Sequence, residues 1–161
     1  MRSTNSEIGT SMFHSICRVL VVEDFEPFLR VLISALAEVS GLEIVGEVSD
    51  GLEAVRQAER LQPDLILVDI GLPTLNGIEA ARRIHKLVPA CKILFLSQEC
   101  FADVVQEAFN SGALGYVVKA HAGSELLAAV EAVRQGRHFV SSGLSALALQ
   151  LTQARQPPKA G

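Results

Sequence analysis

The chain has no apolar stretch approaching the roughly 20 residues needed to cross a bilayer. Its N-terminal segment from Met1 to Ser11 is polar and carries an acid, without the apolar core of a secretory signal. A soluble, cytoplasmic protein is therefore expected, with no membrane contact. Cysteine is scarce: Cys17, Cys91 and Cys100 are an odd number without the spacing of a metal site. Cys17 and Cys91 start apolar runs and read as reduced residues at the edge of a core. The histidines His14, His85, His121 and His138 share no metal-ligand spacing either and read as surface or interface residues. Basic charge is also thin, with 14 Lys and Arg against 18 Asp and Glu and a formal charge of −4. That balance argues against a broad basic face for nucleic acid, so no direct binding of DNA or RNA is expected. No glycine-rich phosphate loop follows the first apolar run, where Asp24-Phe25-Glu26-Pro27 stands. The absence disfavours nucleotide-binding and flavin-binding readings.

What the chain does contain is a regular alternation. Its 161 residues, 49% of them hydrophobic, suffice for the core of one domain. Short runs of Val, Ile and Leu are followed by segments of helical periodicity, the pattern of βα units on a parallel sheet. The runs are Arg18 to Val22, Glu43 to Val48, Asp64 to Val68, Lys92 to Leu96 and Gly115 to Val118. Helices are expected from Glu26-Pro27, with proline in the first turn, from a Ser49 or Asp50 cap, from Asn76-Gly77, through Val104 to Phe109, and from about Ser124 to Gln135. Five such units predict a flavodoxin-like, doubly wound α/β fold with strand order 2-1-3-4-5 and helices on both faces. In that order ligands bind where the order reverses, between the C-terminal ends of the first and third strands.

Those ends carry acids. Glu23 and Asp24 close the first run and Asp69 the third, while Ser97 closes the fourth and Lys119 the fifth. Three carboxylates, a hydroxyl and an amine at four strand ends suggest a Mg²⁺-dependent phosphoryl site. A carboxylate can accept a phosphoryl group as a mixed anhydride. Mg²⁺ favours one or two carboxylates with waters and phosphate oxygens, which makes Asp24 and Asp69 the direct ligands and Glu23 direct or water-mediated. The Lys119 ammonium suits the transferring oxygens, and the short Ser97 hydroxyl can bond them without crowding. Taken singly, Glu23-Asp24 also reads as a helix cap and Ser97 as an ordinary turn serine.

With their surroundings these residues resemble the receiver domain of two-component response regulators. The matching stretches are Val21-Val22-Glu23-Asp24, Leu67-Val68-Asp69-Ile70-Gly71-Leu72-Pro73, Asn76-Gly77, Leu96-Ser97 and Gly115-Tyr116-Val117-Val118-Lys119. Glu47 to Ala54, Gly77 to Ala80 and Ala128 to Gly136 are similar to NarL/FixJ-type receivers. The resemblance implies that Asp69 accepts phosphate from a sensor histidine kinase or exchanges it with a histidine phosphotransfer protein. It implies Mg²⁺ on Asp24, Asp69 and the Gly71 carbonyl with Glu23 in support, and phosphoryl contacts from Ser97 and Lys119. Tyr116 takes the place of the aromatic residue that turns inward in the switch. The expected output is a phosphorylation-dependent change in partner binding or homodimerisation, so the chain is expected to be a switch and not an enzyme. A haloacid-dehalogenase-type phosphatase wants a second Asp two residues after its nucleophile, where Gly71 stands. A degenerate receiver that binds partners without phosphate is the remaining alternative.

Two departures accompany the resemblance. Ala120 follows Lys119 where many receivers have proline. The sequence also stops about twenty residues after the receiver, too short a stretch for the helix-turn-helix module of that subfamily. A stand-alone receiver, or the receiver part of a longer DNA-binding regulator, is therefore expected. Residues 1–15 are expected to be a disordered tail, 16–138 the receiver, and 139–161 a tail or linker with room for a short helix from Leu144.

Overall fold

In the computed structural model, which describes residues 15–144, the apolar runs form the strands of one parallel sheet. In chain order the elements are β1 (Cys17–Val22), α1 (Glu26–Ala37), β2 (Leu42–Val48), α2 (Gly51–Leu61), β3 (Leu65–Val68) and α3 (Gly77–Leu87). They continue with β4 (Lys92–Ser97), α4 (Ala102–Asn110), β5 (Gly115–Val118), α5 (Ala122–Arg134) and β6 (Phe139–Val140). The strand order is β2-β1-β3-β4-β5-β6, and every pairing is parallel. The flavodoxin-like order expected for the first five strands holds, and a sixth is added.

The central strands are apolar throughout because both of their faces are covered. Leu20, Val22, Ile66, Val68, Ile93, Phe95 and Tyr116 pack with Ala54 and Ala58 of α2, Ile84 of α3 and Val105 and Phe109 of α4. Their neighbours Val19, Val21, Leu65, Leu67, Leu94, Leu96 and Val117 point the other way, onto Leu29, Leu32 and Leu36 of α1 and Leu126, Val130 and Val133 of α5. The period of two along each strand thus divides one sheet between two helical layers.

β6 lies beyond residue 138, where the sequence reading closes the domain. Phe139 and Val140 pair with Gly115 and Tyr116, and a 3-10 turn, Ser142–Leu144, follows. Two apolar residues before Ser141-Ser142-Gly143 are too short a run to show a period, so this strand exists only through its neighbour. The N-terminal tail up to residue 14, and the helix expected from Leu144 onward, lie outside the described residues except for Leu144 itself.

Two helix starts follow the expected chemistry. The Asp50 side chain accepts the Glu53 N–H and the Asn76 side chain that of Glu79, each at 3.0 Å. α1 differs: Phe25 is its cap residue and no side-chain capping bond forms, although Glu23 accepts the Phe25 N–H at 3.2 Å. Proline at the first turn starts α1 instead. Asp24 is therefore not used as a cap.

The loop after β3 is pinned at Gly77, whose N–H donates to the Ile70 carbonyl at 2.7 Å. A Cβ at Gly77 would lie 1.9 Å from the Asp69 carbonyl oxygen. Helix propensity alone favours Gly77→Ala, by about 1 kcal/mol. The obstacle is backbone and cannot swing aside, so overpacking prevails. Gly77→Ala is expected to lower stability by about 1–3 kcal/mol in urea unfolding; an unchanged or raised midpoint would contradict this packing.

Candidate functional site

Glu23, Asp24, Asp69, Ser97 and Lys119 sit at or just past the C-terminal ends of their strands, facing one crevice. Asp69 follows β3; its N–H continues the ladder to the Val22 carbonyl at 3.1 Å. Glu23 follows β1 and donates its N–H to the Val48 carbonyl at 2.9 Å. Backbone ladder bonds therefore fix both acids before their side chains do anything.

Lys119, just past β5, reaches across the crevice to join them. Its Nζ donates to Asp69 Oδ2 at 3.0 Å and to Glu23 Oε1 at 2.9 Å. Glu23 Oε2 is as close, at 2.9 Å, so the ammonium faces both oxygens of this carboxylate. The remaining Asp69 oxygen, Oδ1, accepts the Ile70 N–H at 2.7 Å. Lys119 Nζ also lies 4.8 Å from the centre of the Phe28 ring, a cation–π contact.

Burial comes first in setting the Glu23 carboxyl, pushing its pKa up, and the charge of Asp69 adds to this while the Lys119 hydrogen bond opposes it. For Lys119 burial works against the ammonium, but its bonds to Glu23 and Asp69 outweigh burial and raise its pKa. The lysine therefore stays protonated at neutral pH. One ammonium faces several carboxylates, which leaves negative charge in excess.

Asp24 supplies the third carboxylate and is exposed; one oxygen from each of Glu23, Asp24 and Asp69 falls within 4.8 Å of the others. All-oxygen donors and surplus negative charge fit a hard divalent cation. Gly71 lines the same cleft, and a Cβ there would meet nothing within 4 Å. Packing therefore does not require glycine at this position.

Ser97, the last residue of β4, is 1% exposed, and its Oγ accepts the Glu99 N–H at 3.0 Å. Glu23, Asp24, Asp69, Gly71, Ser97 and Lys119 all line one open cleft of about 660 Å³. Tyr116 does not line it. That side chain is fully buried beneath, and its hydroxyl donates to the Glu99 carbonyl at 2.6 Å. Burial pushes the phenol up to about 12, with a Ser97 contact pulling the other way. The Glu99 backbone thus joins Ser97 to Tyr116, one through its N–H and the other through its C=O. Two contributors were not visible in the sequence. Phe28 reads as part of the buried stripe of α1, yet one turn into a helix a side chain leans back toward the N-terminus, here toward the cleft. The Glu99 linkage is a backbone role, which residue type does not signal.

The fold and this site define a receiver. Residues 19–131 match the response regulator receiver domain family, and the chain belongs to that family. It is 37% identical over 131 residues to a putative transcriptional regulator of Pseudomonas aeruginosa, covering 81% of this chain and 63% of the relative. The chemotaxis protein CheY of Thermotoga maritima is 35% identical over 116 residues, covering 72% of this chain and 96% of CheY. The transcriptional regulatory protein PdtaR of Mycobacterium tuberculosis is 39% identical over 116 residues, covering 71% of this chain and 55% of PdtaR. The chain thus spans less than two thirds of the two transcriptional regulators. Among solved structures, a LuxR-family two-component response regulator from Aurantimonas superposes with a TM-score of 0.74 at 33% identity, covering 88% of this chain and 99% of that one. Among the described residues, no helix is long and apolar enough to cross a membrane.

Because Lys119 is the cation shared by two largely buried acids, its removal leaves them uncompensated. Lys119→Met is expected to cost about 3 kcal/mol at neutral pH in urea unfolding. A loss below about 0.5 kcal/mol, the range of an exposed pair, would show that water screens the cluster.

Proposed function

We propose that this chain is a phosphorylation-controlled receiver of a two-component system, acting in the cytoplasm, with Asp69 as phosphoacceptor. The observation that carries the reading is the Lys119 bridge between Asp69 and Glu23, beside Asp24 in one open cleft. The donor is a phosphohistidine on a sensor histidine kinase or a histidine phosphotransfer protein. An Asp69 oxygen attacks phosphorus, an O–P bond forms as the N–P bond breaks, and the departing imidazole nitrogen keeps the electron pair and takes a proton from water. Asp24, Asp69 and the Gly71 carbonyl, supported by Glu23, are the groups suited to Mg²⁺, which when bound supplies the positive charge that lets two anions meet.

The chain's own residues do the rest. Lys119 exchanges its bond to Asp69 for one to a phosphoryl oxygen, and Ser97 turns its hydroxyl to another. Ser97 then gives up the Glu99 N–H, and Glu99 is also the residue that holds the Tyr116 hydroxyl. A change at phosphorus thereby reaches the face made by α4, β5 and α5. A two-state element biased by a charged modification follows this logic. The output is dimerisation, contact with a partner protein, or relay of the phosphoryl group. No separate substrate is turned over, apart from self-dephosphorylation.

Intact-protein mass after incubation with acetyl phosphate, with and without Mg²⁺, tests this reading. One phosphoryl group is expected on the wild type with Mg²⁺, and none on a folded Asp69→Asn variant. Equal labelling of the variant would sink the assignment. No labelling of a folded, Mg²⁺-binding wild type would favour a receiver that acts without phosphate.

A further inference from the structure

β6 lies against the outer edge of the strand that delivers Lys119. Phe139 N–H donates to the Leu114 carbonyl and Ser141 N–H to the Tyr116 carbonyl, each at 3.0 Å. The chain then leaves the ladder for the turn at Ser142–Leu144. The next outward donor on β5, the Val118 N–H, is met by a side chain: it donates to Ser141 Oγ at 2.8 Å. Ser141 Oγ in turn donates to Glu125 Oε2 at 2.6 Å, and the Ser142 N–H donates to Glu125 Oε1 at 3.1 Å.

The polarity of this chain of bonds is fixed. Burial opposes the Glu125 charge, but its Ser141 and Ser142 donors outweigh burial and hold the carboxyl below its ordinary value. An ionised carboxylate only accepts. The Ser141 proton therefore points to Glu125, and a lone pair is left for Val118. Ser141 is 0% exposed, so water cannot replace it. Leu144 is buried in the cluster that holds Tyr116 and Phe109, which anchors the segment from its far end. Ser141, Ser142 and Leu144 lie past residue 131, where the match to the receiver family stops, while Val118 and Glu125 lie within it.

We infer that Ser141, oriented by Glu125, is a positioning residue for Lys119. By holding the Val118 N–H it fixes the end of β5 one residue before Lys119, and so the line along which the ammonium enters the cleft. Val118 is paired with Ser97 of β4 on its other side, and without Ser141 that end is held from one side only. The inference rests on the proposed phosphoryl acceptance, in which Lys119 acts on the transferring oxygens. Glu23, Asp24 and Asp69 stand on other strands, and the backbones of Glu23 and Asp69 are held by ladder bonds of their own.

The test is labelling kinetics of the full chain with acetyl phosphate, varying donor and Mg²⁺, for wild type, Ser141→Ala, Ser141→Thr and Glu125→Gln. Loosening a positioned group short of full displacement is expected to lower the maximal rate about tenfold in Ser141→Ala. Half-saturating donor and Mg²⁺ affinity should stay within about twofold, since those contacts are untouched. Ser141→Thr, which keeps the hydroxyl, should recover most of the rate, and Glu125→Gln should fall between. Amide hydrogen exchange should show Val118 losing protection in Ser141→Ala. Wild-type rates in a folded Ser141→Ala whose Val118 exchanges faster would overturn the inference, as would parallel losses of rate and Mg²⁺ affinity. Should Ser141→Ala fail to fold, Glu125→Gln decides: a wild-type rate there would overturn it equally. A wild type that takes no label with Mg²⁺ present defeats the functional reading itself, a pattern distinct from either.

Discussion

Among the described residues, the ammonium of Lys119 is the positive charge that pairs with the acids at the end of this sheet, and the site depends on where it stands. Without it, Glu23 and Asp69 would face each other across the switch point with their charges opposed only by water. With it, two acids from different strands are tied to a third strand, and the crevice acquires a defined shape. The tie remains incomplete. Asp24 adds a third carboxylate within reach of the other two, and on the proposed function a divalent cation held there lets an anionic donor approach. The cluster is poised because its charges are only partly balanced.

The sheet is what makes that balance possible. Parallel strands put all their C-terminal ends on one side, so residues distant in sequence meet without any long loop. Ladder bonds from Glu23 to Val48 and from Asp69 to Val22 hold the acids rigidly. The loop after β3 is kept against Asp69 by the close approach of Gly77. Ser97 and Tyr116 meet on opposite sides of the Glu99 backbone, so the cleft and the buried aromatic share one mechanical link.

Much of this was legible in the sequence, for physical reasons. Strands covered on both faces must be apolar throughout, so five runs stood out and gave the order of the first five strands. Acids at the ends of two of them, with a serine and a lysine ending two more, pointed to the crevice that the topology demands. What escaped depends on contacts that no local pattern encodes. β6 has two residues and exists only by pairing with β5. Phe28 fits a helical apolar stripe equally well whether its ring meets core or ammonium. Ser141 reads as a turn serine, and only the fold brings it to Glu125 and to the end of β5.

The central claim is that Asp69, and no other acid of the cluster, receives the phosphoryl group. Reducing the acyl phosphate of the Mg²⁺-treated, acetyl-phosphate-labelled protein with borohydride, followed by peptide mass mapping, tests it most directly. Conversion of Asp69 alone to homoserine is the predicted result. Conversion at Glu23 or Asp24, or a phosphoryl group that resists reduction and maps to a serine or histidine, would contradict the account.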